Sequence, residues 1–162
     1  MVRALTASIL GQGDAGGPIE VDASWVYFIN GYEQILRIPK TGGSAQVLGS
    51  GISSASSLRA SGSLLYFTGW NTNTVNVIPK TGGTVTVLAS ANSPVDLALD
   101  GSFLYWIEYS NPGSVNRVPL LGGAIKSYFP EGNTRGIEVD QMHVYWAVST
   151  KINQGKIMRA PK

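Results

Sequence analysis

Leu104-Tyr105-Trp106 is written three more times along the chain, as Val26-Tyr27-Phe28, Leu65-Tyr66-Phe67 and Val144-Tyr145-Trp146. The tyrosines stand at 27, 66, 105 and 145, so the unit recurs about every forty residues. An aliphatic residue followed by two aromatics fits the pleated, half-buried surface of a β-strand.

Working outward from the triplet, each repeat reads as four strands. In the first repeat, Pro18 to Asp22 alternates apolar Ile19 and Val21 with Glu20 and Asp22, and Ala23-Ser24 turns the chain. Trp25 to Asn30 is the second strand, Gln34 to Pro39 the third, and Ser44 to Leu48 the fourth. Between the last two, Gly42-Gly43 supplies the positive φ of a tight hairpin. The plan repeats in Leu64 to Thr68, Phe103 to Glu108 and His143 to Val148, and in Thr74 to Pro79, Ser114 to Pro119 and Lys156 to Pro161. Each third strand ends on proline, where a missing N–H is tolerated. Gly82-Gly83 and Gly122-Gly123 join strand to strand with no helix pattern after them, so they read as turns and not as phosphate cradles.

The sequence ends at Pro161-Lys162, before the glycine turn and fourth strand of the other repeats, while Arg3 to Leu10 alternates like a strand. Leu10 lies nine residues before Ile19, as Leu88 lies nine before Leu97. The expected fold is all-β: one domain over 1–162, with four-stranded blades at about 18–48, 57–88, 96–129 and 136–162, the last completed by strand 1–10. Such closure also covers two sheet edges.

The blades resemble those of YWTD and related bacterial repeat β-propellers. The likeness rests on Asp100 to Trp106, Arg117-Val118-Pro119 and Gly122-Gly123 and covers essentially the whole chain. The second repeat departs most, with Ser61 where Asp22, Asp100 and Asp140 stand, and with Asn76-Val77-Ile78-Pro79 lacking the arginine. The resemblance implies a propeller used as a ligand platform or scaffold, and occasionally as an enzyme. Rings of six to eight such blades are usual, so the preferred closure is a homodimer in which two chains form one eight-bladed ring. Arg3, Leu5, Ile9 and Leu10 of one chain would then meet Ile157 and Arg159 of the other around a two-fold axis. A self-closed four-bladed monomer and a fragment of a longer protein are the other readings.

Composition narrows the functional classes. Of 162 residues, 43% are hydrophobic and 14% charged, and the formal net charge is +2 with no two basic residues adjacent. Nucleic acid and anionic membrane are therefore not expected partners. There is no cysteine, hence no disulfide and no thiol chemistry. No apolar run is long enough to insert in a bilayer, and a removed leader would place the protein outside the cell or in the periplasm.

His143, the only histidine, has no serine and aspartate assignable to it and reads as a strand-end residue, not as part of a triad. Asp22, Asp100 and Asp140 read as acceptors in the turn that follows each of them. The loops after the second strands carry Tyr32, Trp70 with Asn71, and Tyr109 with Asn111, on the propeller face that also holds Arg135. Rings supply contact area and amides fix orientation, so this face is the candidate site for a glycan or peptide. No cofactor is expected. The alternative is a metal-dependent hydrolase or lyase, with a divalent cation held in the channel by Glu20 and Glu138.

Overall fold

The aromatic triplets form the second strand of every sheet in the computed structural model, which describes residues 7–11, 16–31, 33–128, 132–151 and 154–162. Blade 1 contains β1 (Ile19–Val21), β2 (Trp25–Asn30), β3 (Gln34–Pro39) and β4 (Gln46–Ser50). Blade 2 contains β5 (Leu58–Ser61), β6 (Leu64–Gly69), β7 (Thr74–Pro79) and β8 (Thr86–Ser90). Blade 3 contains β9 (Pro94–Leu99), β10 (Phe103–Glu108), β11 (Ser114–Pro119) and β12 (Lys126–Tyr128). Blade 4 contains β13 (Asn133–Val139), β14 (His143–Lys151) and β15 (Gln154–Pro161). All four sheets are antiparallel meanders: three of four strands and, among the described residues, one of three.

Equivalent residues hold equivalent registers. Tyr27 lies opposite Arg37, Tyr66 opposite Val77, Tyr105 opposite Arg117 and Tyr145 opposite Arg159. Side chains alternate across a strand, so each tyrosine looks toward the following blade and its two aliphatic or aromatic neighbours toward the preceding one. Both faces of an inner blade are covered, and for that reason the second strands are apolar throughout instead of alternating.

Three cores result, one per junction. Tyr27, Ile29 and Ile35 pack on Leu58, Leu65 and Phe67; Tyr66 and Val75 on Leu97, Leu104 and Trp106; Tyr105 and Val115 on Ile137, Val144 and Trp146. No core cluster joins blade 4 to blade 1 among the described residues. Ile19 and Val21 on the outward face of blade 1 are 64% and 53% exposed, and Ile157 on the outward face of blade 4 is 79% exposed. Their counterparts Leu58 and Ala60, inside the arc, are buried and half-buried respectively.

The glycine pairs make the expected turns. Gly42 and Gly43 take φ of 85° and 133°, conformations that exclude most side chains, and the two later pairs match them closely. The second of these turns also touches the preceding blade: the Gly83 amide donates to the Leu48 carbonyl at 3.0 Å. The Gly43 amide donates in the same way to the Leu10 carbonyl at 3.2 Å. Leu10 thus stands before blade 1 as the outer strand of blade 1 stands before blade 2.

The structure departs from the sequence reading at three places. Ala7 to Leu10 forms no strand, and its Leu10 carbonyl accepts from the Gly43 turn rather than from a sheet ladder; Arg3 and Leu5 fall outside the described residues. The fourth strands start two residues late, at Gln46 and Thr86, because the chain needs two extended residues after the glycines to reach the sheet. The last hairpin runs on to Lys151 and Gln154, past the His143 to Val148 expected, because its strands keep pairing beyond the level where the other blades turn.

Candidate functional site

Loops between second and third strands and links from fourth to first strands emerge on one face of a meander propeller, and the other turns emerge on the opposite face. On the first face the structure brings Trp70, Tyr109 and Arg135 together across three blades. The Trp70 and Tyr109 rings are 5.7 Å apart between centroids, tilted by 37°. The Arg135 guanidinium carbon lies 4.4 Å from the centroid of Tyr109, a cation–π contact. Tyr109 and Arg135 are exposed and Trp70 is half-buried, so the strip is open to solvent.

Backbone geometry holds these rings in place. The Trp70 amide donates to the Ser54 carbonyl at 3.2 Å, and the Tyr109 amide donates to the Ser93 carbonyl at 3.0 Å. Ser54 and Ser93 occupy matching positions, four residues before Leu58 and Leu97, and both take left-handed φ, 51° and 49°. A left-handed non-glycine residue costs about 1–3 kcal/mol and persists where its surroundings over-determine it. Here the determinants are visible: Asn71 Nδ2 donates to Ser54 Oγ at 2.8 Å, and the Ser93 amide donates to Asn73 Oδ1 at 2.8 Å. Beneath the strip the Glu108 carboxylate accepts from the Asn92 amide, Trp106 Nε1 and Ser114 Oγ, which ties the link and the sheet to the base of the Tyr109 loop.

Of the residues expected on this face, Asn71 serves the loop and not the open surface, and Asn111 is exposed ahead of Pro112. Tyr32 lies outside the described residues. Glu20 and Glu138 stand on different sheets, and among the described residues no group of three or more possible metal ligands occurs. Each shares the face of its blade's tyrosine, Tyr27 and Tyr145. Burial pushes the Glu20 pKa up, against the opposing charge of Arg59 and Lys80 and a bond from the Ala60 backbone. A carboxylate flanked by two cations does not fit a hard divalent ion that takes six or more oxygens.

The opposite face carries a repeated polar device. Asp22 Oδ1 accepts from the Ser24 and Trp25 amides, and its Oδ2 accepts from Tyr27 Oη at 2.7 Å and from Lys80 Nζ of the next blade at 3.0 Å. Asp100 repeats every bond: Ser102 and Phe103 amides, Tyr105 Oη at 3.0 Å and Lys162 Nζ of the next blade at 2.8 Å. Asp140 repeats three of the four, with the Met142 and His143 amides and Tyr145 Oη at 2.8 Å. The turn role expected for these aspartates is therefore realised, and a cross-blade latch is added to it.

The latch moves the acids' pKa values. At Asp22, burial raises it, but donation from Tyr27, Lys80 and the two amides outweighs burial and leaves the carboxyl well below its usual range. At Asp100 the same balance, led by burial and overcome by Lys162, the amides and Tyr105, gives about 2. Asp140, on the exposed side of blade 4, is lowered to about 2 by the Met142 amide, Tyr145 and the His143 amide. An open cavity of about 860 Å³ lies beside this device between blades 3 and 4, lined by Asp100, Tyr105, Arg117, Asp140 and Lys162. Arg117 packs 4.7 Å over the Phe103 ring, as Arg37 packs 4.2 Å over Trp25.

Asp96 and the latch lysines Lys80 and Lys162 escaped the sequence reading. Asp96 joins three blades: it accepts from Ser57 Oγ at 2.9 Å, lies 3.5 Å from Arg59, and accepts from the Ile137 amide at 3.2 Å. Both latch lysines directly follow the terminal proline of their blades, and Lys40 holds the same place after Pro39, a regularity the spacing contains. Of the residues assigned to assembly, Ile9 and Ile157 are exposed, Leu10 borders the first glycine turn and Arg159 lies on the open face of blade 4.

No family model and no curated protein sequence matches the chain. Solved structures match by fold. The computationally designed Ika4 protein superposes with a TM-score of 0.79 at 12% identity, covering 95% of each chain. A chain of the nidogen/laminin complex gives 0.65 at 17% identity over 76% of this chain, and streptogramin B lyase 0.65 at 18% over 88%. The designed Ika8 protein gives 0.69 at 12% over 86%. This chain spans 51%, 53% and 44% of those last three chains, about half of each. At such identities the likeness speaks of architecture, and with the four meander sheets it shows the β-propeller fold, with four blades in this chain.

Proposed function

We propose that the chain is a non-enzymatic binding scaffold of the YWTD-like type, and that two copies assemble into one eight-bladed ring. The observation that carries the binding part is the strip of Trp70, Tyr109 and Arg135, laid over three blades and held by left-handed serines. Rigid rings offer contact area at low entropic cost, and a guanidinium beside them selects a polar or anionic group. A glycan or peptide chain running across the blades fits that arrangement. Assembly is supported by the two uncovered end faces and by the position of Leu10. No observation favours channel chemistry, since Glu20 is already faced by Arg59 and Lys80.

The test is a panel of oligosaccharides and peptides titrated against tryptophan fluorescence and calorimetry. Trp70→Ala and Tyr109→Ala should each weaken the bound member by at least ~10-fold, since tenfold is about 1.4 kcal/mol. A ligand whose affinity ignores both substitutions, or a panel with no binder, would contradict the reading.

A further inference from the structure

The three blade junctions inside the chain differ in a way that bears on what could cover the open ends. Between blades 1 and 2 the junction carries Asp22, Tyr27 and Arg37 facing Lys80, with Arg37 Nη1 also donating to the Lys80 carbonyl at 2.9 Å. Between blades 3 and 4 it carries Asp100, Tyr105 and Arg117 facing Lys162. Between blades 2 and 3 the acid, the arginine and the lysine are all replaced, by Ser61, Val77 and Leu120, and Tyr66 Oη donates to the Leu120 carbonyl at 3.2 Å. Acid and lysine are thus kept together or lost together at every junction inside the chain.

The remaining set is complete but divided between the two ends. Blade 4 presents Asp140, Tyr145 and Arg159 on its outward face, with Asp140 exposed and, among the described residues, bonded to no lysine. Blade 1 presents Lys40, exposed, directly after Pro39, where Lys80 and Lys162 follow Pro79 and Pro161. The apolar parts match as well: Ile19, Val21 and Phe28 occupy the positions by which Leu58, Ala60 and Phe67 meet blade 1. Leu10 lies against the Gly43 turn as the outer strand of a preceding blade would, and the sheet with no outer strand among the described residues is that of blade 4.

We infer that a second copy of this chain seats its blade 4 on blade 1, and that Lys40 of one copy closes the Asp140–Tyr145–Arg159 latch of the other, twice per ring. This rests on the assembly reading above and names its recognition chemistry. Lys40 Nζ would approach the Asp140 carboxylate as Lys80 approaches Asp22, and Arg159 would reach the Lys40 carbonyl as Arg37 reaches that of Lys80.

The test uses sedimentation or light scattering of the full chain over a dilution series. Lys40 makes no side-chain bond within the described part of its own chain, so Lys40→Glu leaves the blade intact and should weaken association by at least ~30-fold, the usual effect of unpairing an interface charge. Asp140→Lys should do the same, and because Asp140 also holds its turn, circular dichroism and thermal melting check that this variant is folded. The two variants mixed in equal amounts should recover the dimer, since one junction regains the original pair and the other a reversed one. Lys40→Leu with Asp140→Ser, copying the junction of blades 2 and 3, should keep the dimer and lose its salt dependence. A dimer indifferent to Lys40→Glu would overturn the latch while sparing the ring. A wild-type monomer at every concentration would overturn both, and intramolecular closure would then account for the faces.

Discussion

At Asp100 one carboxylate accepts from four donors on two blades, and this structural role explains why the residue recurs in three of the four repeats. Charged acceptors with several donors contribute more than neutral ones, so Asp100→Asn should cost about 1–3 kcal/mol in urea unfolding, and an unchanged midpoint would contradict the latch. The pH dependence has a definite sign. Asp100 is depressed in the folded state to about 2 from an ordinary 3.8, so its contribution is complete above the ordinary value and vanishes as pH falls through about 2. Acid unfolding of the wild type should therefore steepen over that window, and the steepening should weaken in Asp100→Asn. Two buried donors show what happens when the repeat varies without compensation. Arg117 Nε has no acceptor among the described residues, because Lys126 replaces the Gln46 that accepts from Arg37 Nε at 3.0 Å. Trp146 Nε1 has none because Val148 stands where Glu108 serves Trp106.

At the level of the blade, the triplet and the terminal proline were legible because strand alternation turns a local word into a definite face. Second and third strands of the first three blades began where the pattern put them, Trp25–Asn30 and Gln34–Pro39 among them. The outer strands were displaced because their start depends on the glycine turn and not on hydrophobic period. The latch was hidden for another reason: Lys162 lies 62 residues from Asp100, and only comparison of the repeats exposes the shared loss of acid and lysine at Ser61 and Leu120. That shared loss makes a prediction. Ser61→Asp and Leu120→Lys should each destabilise the chain, and the double variant should recover about 1 kcal/mol relative to their sum in a double-mutant cycle. Strict additivity would show that the two positions do not communicate. On the loop side, aromatic character was readable, but the approach of Trp70 to Tyr109 depends on the left-handed Ser54 and Ser93, which spacing does not encode.

For the whole molecule, an arc of four blades leaves two faces that match each other as well as the three junctions inside the chain match. The designed Ika4 protein shares this extent, while the designed Ika8 protein is about twice as long as the chain. The proposed ring would bury Ile19, Val21 and Ile157 and would place two copies of the Trp70–Tyr109–Arg135 strip on one face, related by the two-fold axis. A ligand with repeated units would then engage both strips. Ring closure governs all of these consequences, and the solution mass over a wide dilution range tests it directly. The account predicts a particle of twice 17.2 kDa that persists on dilution. A stable particle of 17.2 kDa at every concentration would contradict it.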